Sequence, residues 1–197
     1  MTGVLLGLTK ALGSVNAACL TLGRGLGAVC MAAMVAIILA QVFFRYVVGN
    51  ALAWPEEAAR FLMLWAAGLM IATAFRRGGF VSIDMLVRLL PRALASALSL
   101  LLLGLSLVIL VVAIRISWSE VTGIGGRFET DSLRFPMQGD FGSWQKVPRS
   151  WQMMSMLVGL TMMISVCVEL MLRNVVSLLG GHDQLPEIPD SAALGAE

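Results

Sequence analysis

Two arginines and two glutamates crowd one short stretch, residues 45–65, RYVVGNALAWPEEAARFLMLW, at the mouths of two apolar runs. Paired carboxylates beside guanidinium groups can build an active site or an ion path, and they can equally anchor a hairpin at a polar boundary. Little else in the chain suggests catalysis. The only histidine, His182, lies in a polar tail, so paired histidines cannot hold a haem between two helices. No Cys, His, Asp or Glu cluster has zinc spacing, no glycine-rich phosphate loop precedes a lysine, and no serine or cysteine has a base close in sequence. An enzyme is therefore not expected. Cys19, Cys30 and Cys167 are odd in number and two of them lie in apolar runs, so no disulfide framework is expected. A net charge of +2 without a basic cluster excludes nucleic acid as a partner.

The elements that must position these charges are membrane spans. Of the 197 residues 58% are hydrophobic and 13% charged, with a mean hydropathy of +0.87; a soluble domain carries about 25% charge. A bilayer needs roughly 20 apolar residues per helix. The pattern predicts one all-α, polytopic integral membrane domain with four transmembrane helices, at 25–48, 54–75, 93–114 and 151–173. Short amphipathic pieces accompany them. Residues 1–24 form an amphipathic N-terminal segment with a loose stripe of Val4, Leu5, Leu8, Leu12 and Val15. Residues 81–90 place Ile83, Leu86, Val87 and Leu90 on one face of an interfacial helix, with Asp84 and Arg88 opposite. Residues 115–150 are a long outer loop and 174–197 a polar tail. Lys10, Arg24, Arg76, Arg77, Arg88, Arg92 and Arg173 fall on one side, against Arg115, Arg127, Arg134, Lys146 and Arg149 on the other, so both termini are expected in the cytoplasm. The Gly-rich start lacks a compact apolar run before a cleavage site, and no cleaved signal is expected.

Within the spans, small residues outnumber polar ones, and these let backbones approach where lipid offers no hydrophobic drive. Ala28, Ala32, Ala36 and Ala40 repeat every four residues, Gly23 and Gly27 precede them, and Gly68 with Ala72 repeats the spacing in the second span. They are expected to pack the four helices together, or to meet a second protein on another face. In the charged stretch, Pro55 suits a first helical position, and Glu56 and Glu57 face the positive end of the helix dipole. Arg60 follows Glu56 by four residues, and the connection VVGNALAW brings Arg45 back beside the acids. Trp54 and Tyr46 suit the membrane interface. Arg45, Glu56, Glu57 and Arg60 are thus expected to clamp the first hairpin, with part of their face offered to another membrane protein.

The run QVFFRYVVGNALAWPEEAARFLMLWAAGLMIATAFRRGGFVSIDML resembles the signature of the small, Q-type membrane subunit of tripartite ATP-independent periplasmic (TRAP) transporters. An Arg after an aromatic, a Trp followed by paired acids and an Arg, then a Gly in the second span are here Arg45, Trp54, Glu56, Glu57, Arg60 and Gly68. Arg76, Arg77, Gly78 and Asp84 continue the pattern; Phe80 stands where many members have a His, and GDFGSWQKVPRS lengthens the loop before the last span. The resemblance implies a non-catalytic scaffold subunit of a sodium-coupled secondary importer in the bacterial inner membrane. Its partners would be a large multi-span permease subunit, holding the substrate and sodium sites, and a periplasmic binding protein delivering an organic acid or similar solute. No cofactor is expected on this chain, and Arg127, Arg134 and Trp144 in the outer loop are candidate contacts for the binding protein. The alternative is a self-contained four-helix membrane protein acting as a small channel, transporter or oligomeric structural protein.

Overall fold

A computed structural model describes residues 2–50, 52–77, 91–136 and 144–178. Among them, four helices are long and apolar enough to cross a membrane. They are α1 (Thr2–Tyr46), α2 (Trp54–Arg76), α3 (Arg92–Thr122) and α4 (Ser150–Leu178). A 3-10 turn (Ile124–Arg127) and an antiparallel hairpin, β1 (Glu129–Pro136) and β2 (Trp144–Pro148), join α3 to α4. The all-α membrane reading stands, with this hairpin added. The interfacial helix expected at 81–90, Phe80 and the tail beyond Leu178 lie outside the described residues.

Boundaries differ from the sequence reading at the start of α1, at the end of α3 and at the end of α4, which runs to Leu178. The N-terminal segment is not separate: α1 runs unbroken for 45 residues, about 67 Å at 1.5 Å per residue, more than twice a hydrocarbon core of about 30 Å. No proline interrupts it, and scattered glycines weaken a helix without ending it. Its packed face also differs from the expected stripe. Thr9, Asn16 and Leu20 are buried, while Leu8 and Val15 point outward. Polar side chains need protein partners in a membrane, whereas apolar ones are equally satisfied by lipid. The third helix continues past residue 114 to Thr122, because nothing breaks it before Gly123. The expected loop of 115–150 shortens accordingly.

Elsewhere the local chemistry agrees with the elements. Helix α1 unwinds at Gly49, whose φ of +72° is a left-handed conformation that glycine adopts without steric cost. Pro55 opens α2 with Glu56 and Glu57 in its first turn. The carbonyl of Pro91 accepts the amide of Ala95 at 3.0 Å, so Pro91 stands at the start of α3.

The chain divides into two compact units, one of Met1–Leu22, Ile71–Ala113 and Leu160–Glu197, the other of Gly23–Met70 and Ile114–Gly159. In the first, Leu20, Ala72, Phe75, Leu110, Val166 and Cys167 form the buried core, and the Cys167 thiol donates to the Leu103 carbonyl at 3.4 Å. In the second, α2 and α4 approach so closely that a Cβ on Gly68 would fall on the Ser155 carbonyl, and one on Gly159 would lie 2.5 Å from the Gly68 oxygen. Gly23 and Gly27 pack against Leu69 and Met70 of α2. On α2, Gly68 lies against the Ser155 backbone and Ala72 is fully buried. Ala28, Ala32, Ala36 and Ala40 are not packed in this way: all four are exposed, on a face of α1 that the chain itself leaves uncovered.

Candidate functional site: two charged clusters

The first unit contains the most deeply buried charge. Glu169 of α4 is fully buried, and its two oxygens accept from three side chains. Arg76 of α2 approaches side-on, with Nε donating to Oε2 at 3.1 Å and Nη2 to Oε1 at 2.6 Å, the bidentate geometry that a planar guanidinium favours. Arg173, one turn further along α4, donates Nε to Oε1 at 3.1 Å, and Asn16 of α1 donates Nδ2 to Oε2 at 2.8 Å. Both arginine side chains are nearly buried, at 12% and 13% exposure.

Two details fix α1 to this cluster. Asn16 also donates to the Ser165 carbonyl at 3.3 Å, and its Oδ1 accepts the Ser165 hydroxyl at 2.6 Å, which uses both ends of the amide. Gly13 lends its carbonyl to Arg76 Nη2 at 2.9 Å, and a Cβ there would stand 3.1 Å from Glu169 Oε1. A side chain at position 13 would press on the carboxylate. Such an arrangement holds three helices in register, with both carboxylate oxygens already accepting from protein donors.

The second unit contains the conspicuous stretch, and it divides the four charges expected to act together. Glu56 pairs with Arg60 at 3.6 Å, but their side chains are 76% and 62% exposed. Glu57 turns instead to the hairpin. The register of β1 and β2 slips between Glu129, opposite Pro148, and Arg134, opposite Lys146, leaving residues 130–133 as an irregular bulge. A bulge leaves backbone amides without ladder partners. Oε2 of Glu57 accepts the amides of Ser132 and Leu133 at 2.8 and 2.7 Å and the Ser132 hydroxyl at 2.8 Å. Thr130 closes the bulge from within, its hydroxyl lying 2.8 Å from the Val147 carbonyl.

Arg45 corrects the clamp most clearly. Its guanidinium lies 5.9 Å from the Tyr46 ring centre, and among the described residues it pairs with neither Glu56 nor Glu57. It ends a helix whose next residues turn away at Gly49, so proximity in sequence does not bring its long side chain to the acids. Trp54, the first residue of α2, is exposed. Arg127 and Arg134 are exposed, and Trp144 pairs with Pro136 at the end of the hairpin.

Sequence reasoning passed over Glu169, Arg76, Arg173, Asn16 and Gly13 as a group. One signal is present: Glu169 lies near the end of the predicted fourth span, and Arg173 follows it at helical spacing. The contributions of Arg76, Asn16 and Gly13 have no local signature, since each comes from another helix.

The family described as "Tripartite ATP-independent periplasmic transporters, DctQ component" matches residues 34–177, which include Glu56, Glu57, Arg60, Arg76, Glu169 and Arg173 but not Gly13 or Asn16. Comparisons with curated proteins and with solved structures find no match. This is a family of transporter components and not of enzymes, in keeping with two clusters whose acids are occupied by structural partners. With four membrane-length helices and a family match over most of its length, the chain belongs to the DctQ component family of TRAP transporters and is a multi-pass protein of the inner membrane.

Proposed function

We propose that the chain is the non-catalytic scaffold of a sodium-coupled TRAP importer, assembled with a large multi-span permease subunit and served by a periplasmic binding protein that delivers an organic acid or similar small solute. The substrate and sodium sites lie on the large subunit, and this chain needs no cofactor of its own. The observation that carries the reading is Glu169: the acid deepest in a span is matched by two guanidiniums and an amide, so it stabilises helix positions rather than lining a solute path. Long apolar faces, such as Leu26, Val29 and Leu39 on α1 and Leu101, Leu105 and Val108 on α3, stay exposed. These faces suit lipid or a large membrane partner.

On this reading, Arg45, Trp54 and Glu56 offer polar heads to the large subunit at the membrane boundary, and both termini are cytoplasmic by the distribution of Lys and Arg. The β1–β2 hairpin is then periplasmic, and Arg127, Arg134 and Trp144 meet the binding protein. Affinity purification of the tagged chain in mild detergent is expected to recover the large subunit in stoichiometric amount, and uptake in liposomes to require both subunits with the binding protein. Recovery of the chain alone, or solute flux by the chain alone, would overturn the proposal. Cysteines placed singly at 127, 134 and 144 are expected to lose reactivity toward an impermeant thiol reagent when the binding protein is added.

A further inference from the structure

Between the first turns of α2, strand β1 and the first turns of α4 lies a cavity of about 420 Å³. Its lining changes with depth along both helices. On α2, Arg60 gives way one turn inward to Leu64; on the other wall, Arg149 just before α4 and Gln152 in its first turn give way to Met153 and Met156. A charged rim above an apolar floor, at the point where two membrane-length helices begin, matches a ligand that is itself polar at one end and apolar at the other.

The rim has both signs of charge. Arg149 makes no side-chain hydrogen bond or ion pair among the described residues, and Arg60 is held only by its exposed contact with Glu56. Of the two acids, Glu57 is occupied by the bulge amides, whereas Glu129 has only Lys146 at 4.0 Å, the outer limit of an ion pair, and is 66% exposed. A purely anionic headgroup would satisfy the guanidiniums and be repelled by Glu129; a zwitterion satisfies both.

We propose that this cleft binds one membrane phospholipid with a zwitterionic, primary-ammonium headgroup. Its phosphodiester sits between Arg60 and Arg149, its ammonium faces Glu129, and its acyl chains lie over Leu64, Met153 and Met156. Arginine is suited to the phosphodiester because its planar fork donates two hydrogen bonds in parallel. The lipid would fill the space beside the hairpin that Glu57 tethers.

The test uses the full chain, purified in mild detergent, stripped of lipid by detergent exchange and mixed with phosphatidylethanolamine and phosphatidylglycerol at equal mole fraction. Native mass spectrometry is expected to find one bound phosphatidylethanolamine, preferred by about tenfold, the scale of one charge-assisted hydrogen bond. The Arg60→Gln, Arg149→Gln double variant should lower retention by a similar factor of about ten, and Glu129→Gln should abolish the preference while keeping a bound lipid. Arg149→Lys, which keeps the rim charge, should retain lipid, so that loss in the glutamine variant is not a folding defect; equal helicity by circular dichroism checks this independently. Equal retention of the two lipids, or unchanged retention in the double glutamine variant, overturns the proposal. Displacement by millimolar free phosphoethanolamine would also overturn it, by assigning the cleft to a soluble phosphoester.

Discussion

The two charged clusters invert what their sequences advertise. Glu56, Glu57 and Arg60 stand within five residues of one another, yet in the second unit they make one exposed ion pair and one tether to a loop. Gly13, Asn16, Arg76, Glu169 and Arg173 are scattered over most of the chain, yet in the first unit they form a single buried network. The difference is one of dielectric and competition. Exposed ions keep their water and gain little from pairing, whereas a buried ion that loses its partner keeps the full cost of desolvation. Density of charge in sequence therefore says little about where charge matters most to stability.

Removing the buried acid is the strongest way to break this comparison. Glu169→Ala removes the buried carboxylate that Arg76 and Arg173 share and is expected to cost about 3–5 kcal/mol, read by circular dichroism during unfolding in mixed micelles. The Glu169→Ala, Arg173→Ala double variant should lose less than the two single changes combined, because both changes break the same Glu169–Arg173 contact. A loss for Glu169→Ala no larger than that for an exposed charge would show that the network does not bear on stability.

Gly68 tests packing rather than charge. Gly68→Ala drives a methyl onto the Ser155 carbonyl and is expected to cost about 1–3 kcal/mol in the same unfolding measurement, as overpacking does elsewhere. Glu57→Ala comes next and should act locally: the amides of Ser132 and Leu133 lose their acceptor, a deficit of about 1–2 kcal/mol that appears as faster hydrogen exchange in β1 while the helices stay protected. Smallest is Glu56→Ala, where an exposed helix pair is worth less than about 0.5 kcal/mol. If Glu56→Ala nonetheless abolished recovery of the large subunit, the exposed pair would be an intersubunit contact whose value the isolated chain does not reveal.

Much of the fold was legible because it depends on neighbours in sequence. Apolar runs of about 20 residues mark spans, and Pro55 with two acids marks the start of α2. The site was legible only in part. Glu57 was singled out, but its partner was not, because a carboxylate that accepts two amides from a bulge 75 residues away leaves no pattern in either segment. Arg45 was placed with the acids by the shortness of the connection, and the turn at Gly49 took its side chain elsewhere. The alanine repeat on α1 shows the same limit: spacing identifies a face, but whether that face turns inward or outward is decided by the other helices.

By itself the sequence determined that this is a four-span membrane protein of the TRAP transporter small-component family, with charges at its span ends and little chemistry between them. Only the tertiary structure decided that Asn16, Arg76 and Arg173 converge on Glu169, that Glu57 belongs to the hairpin, and that Ala28 to Ala40 face outward. The physical reason is that hydropathy and helix caps are local properties, read one turn at a time. The partner of a buried charge is set by which helices meet, across 153 residues of chain between Asn16 and Glu169.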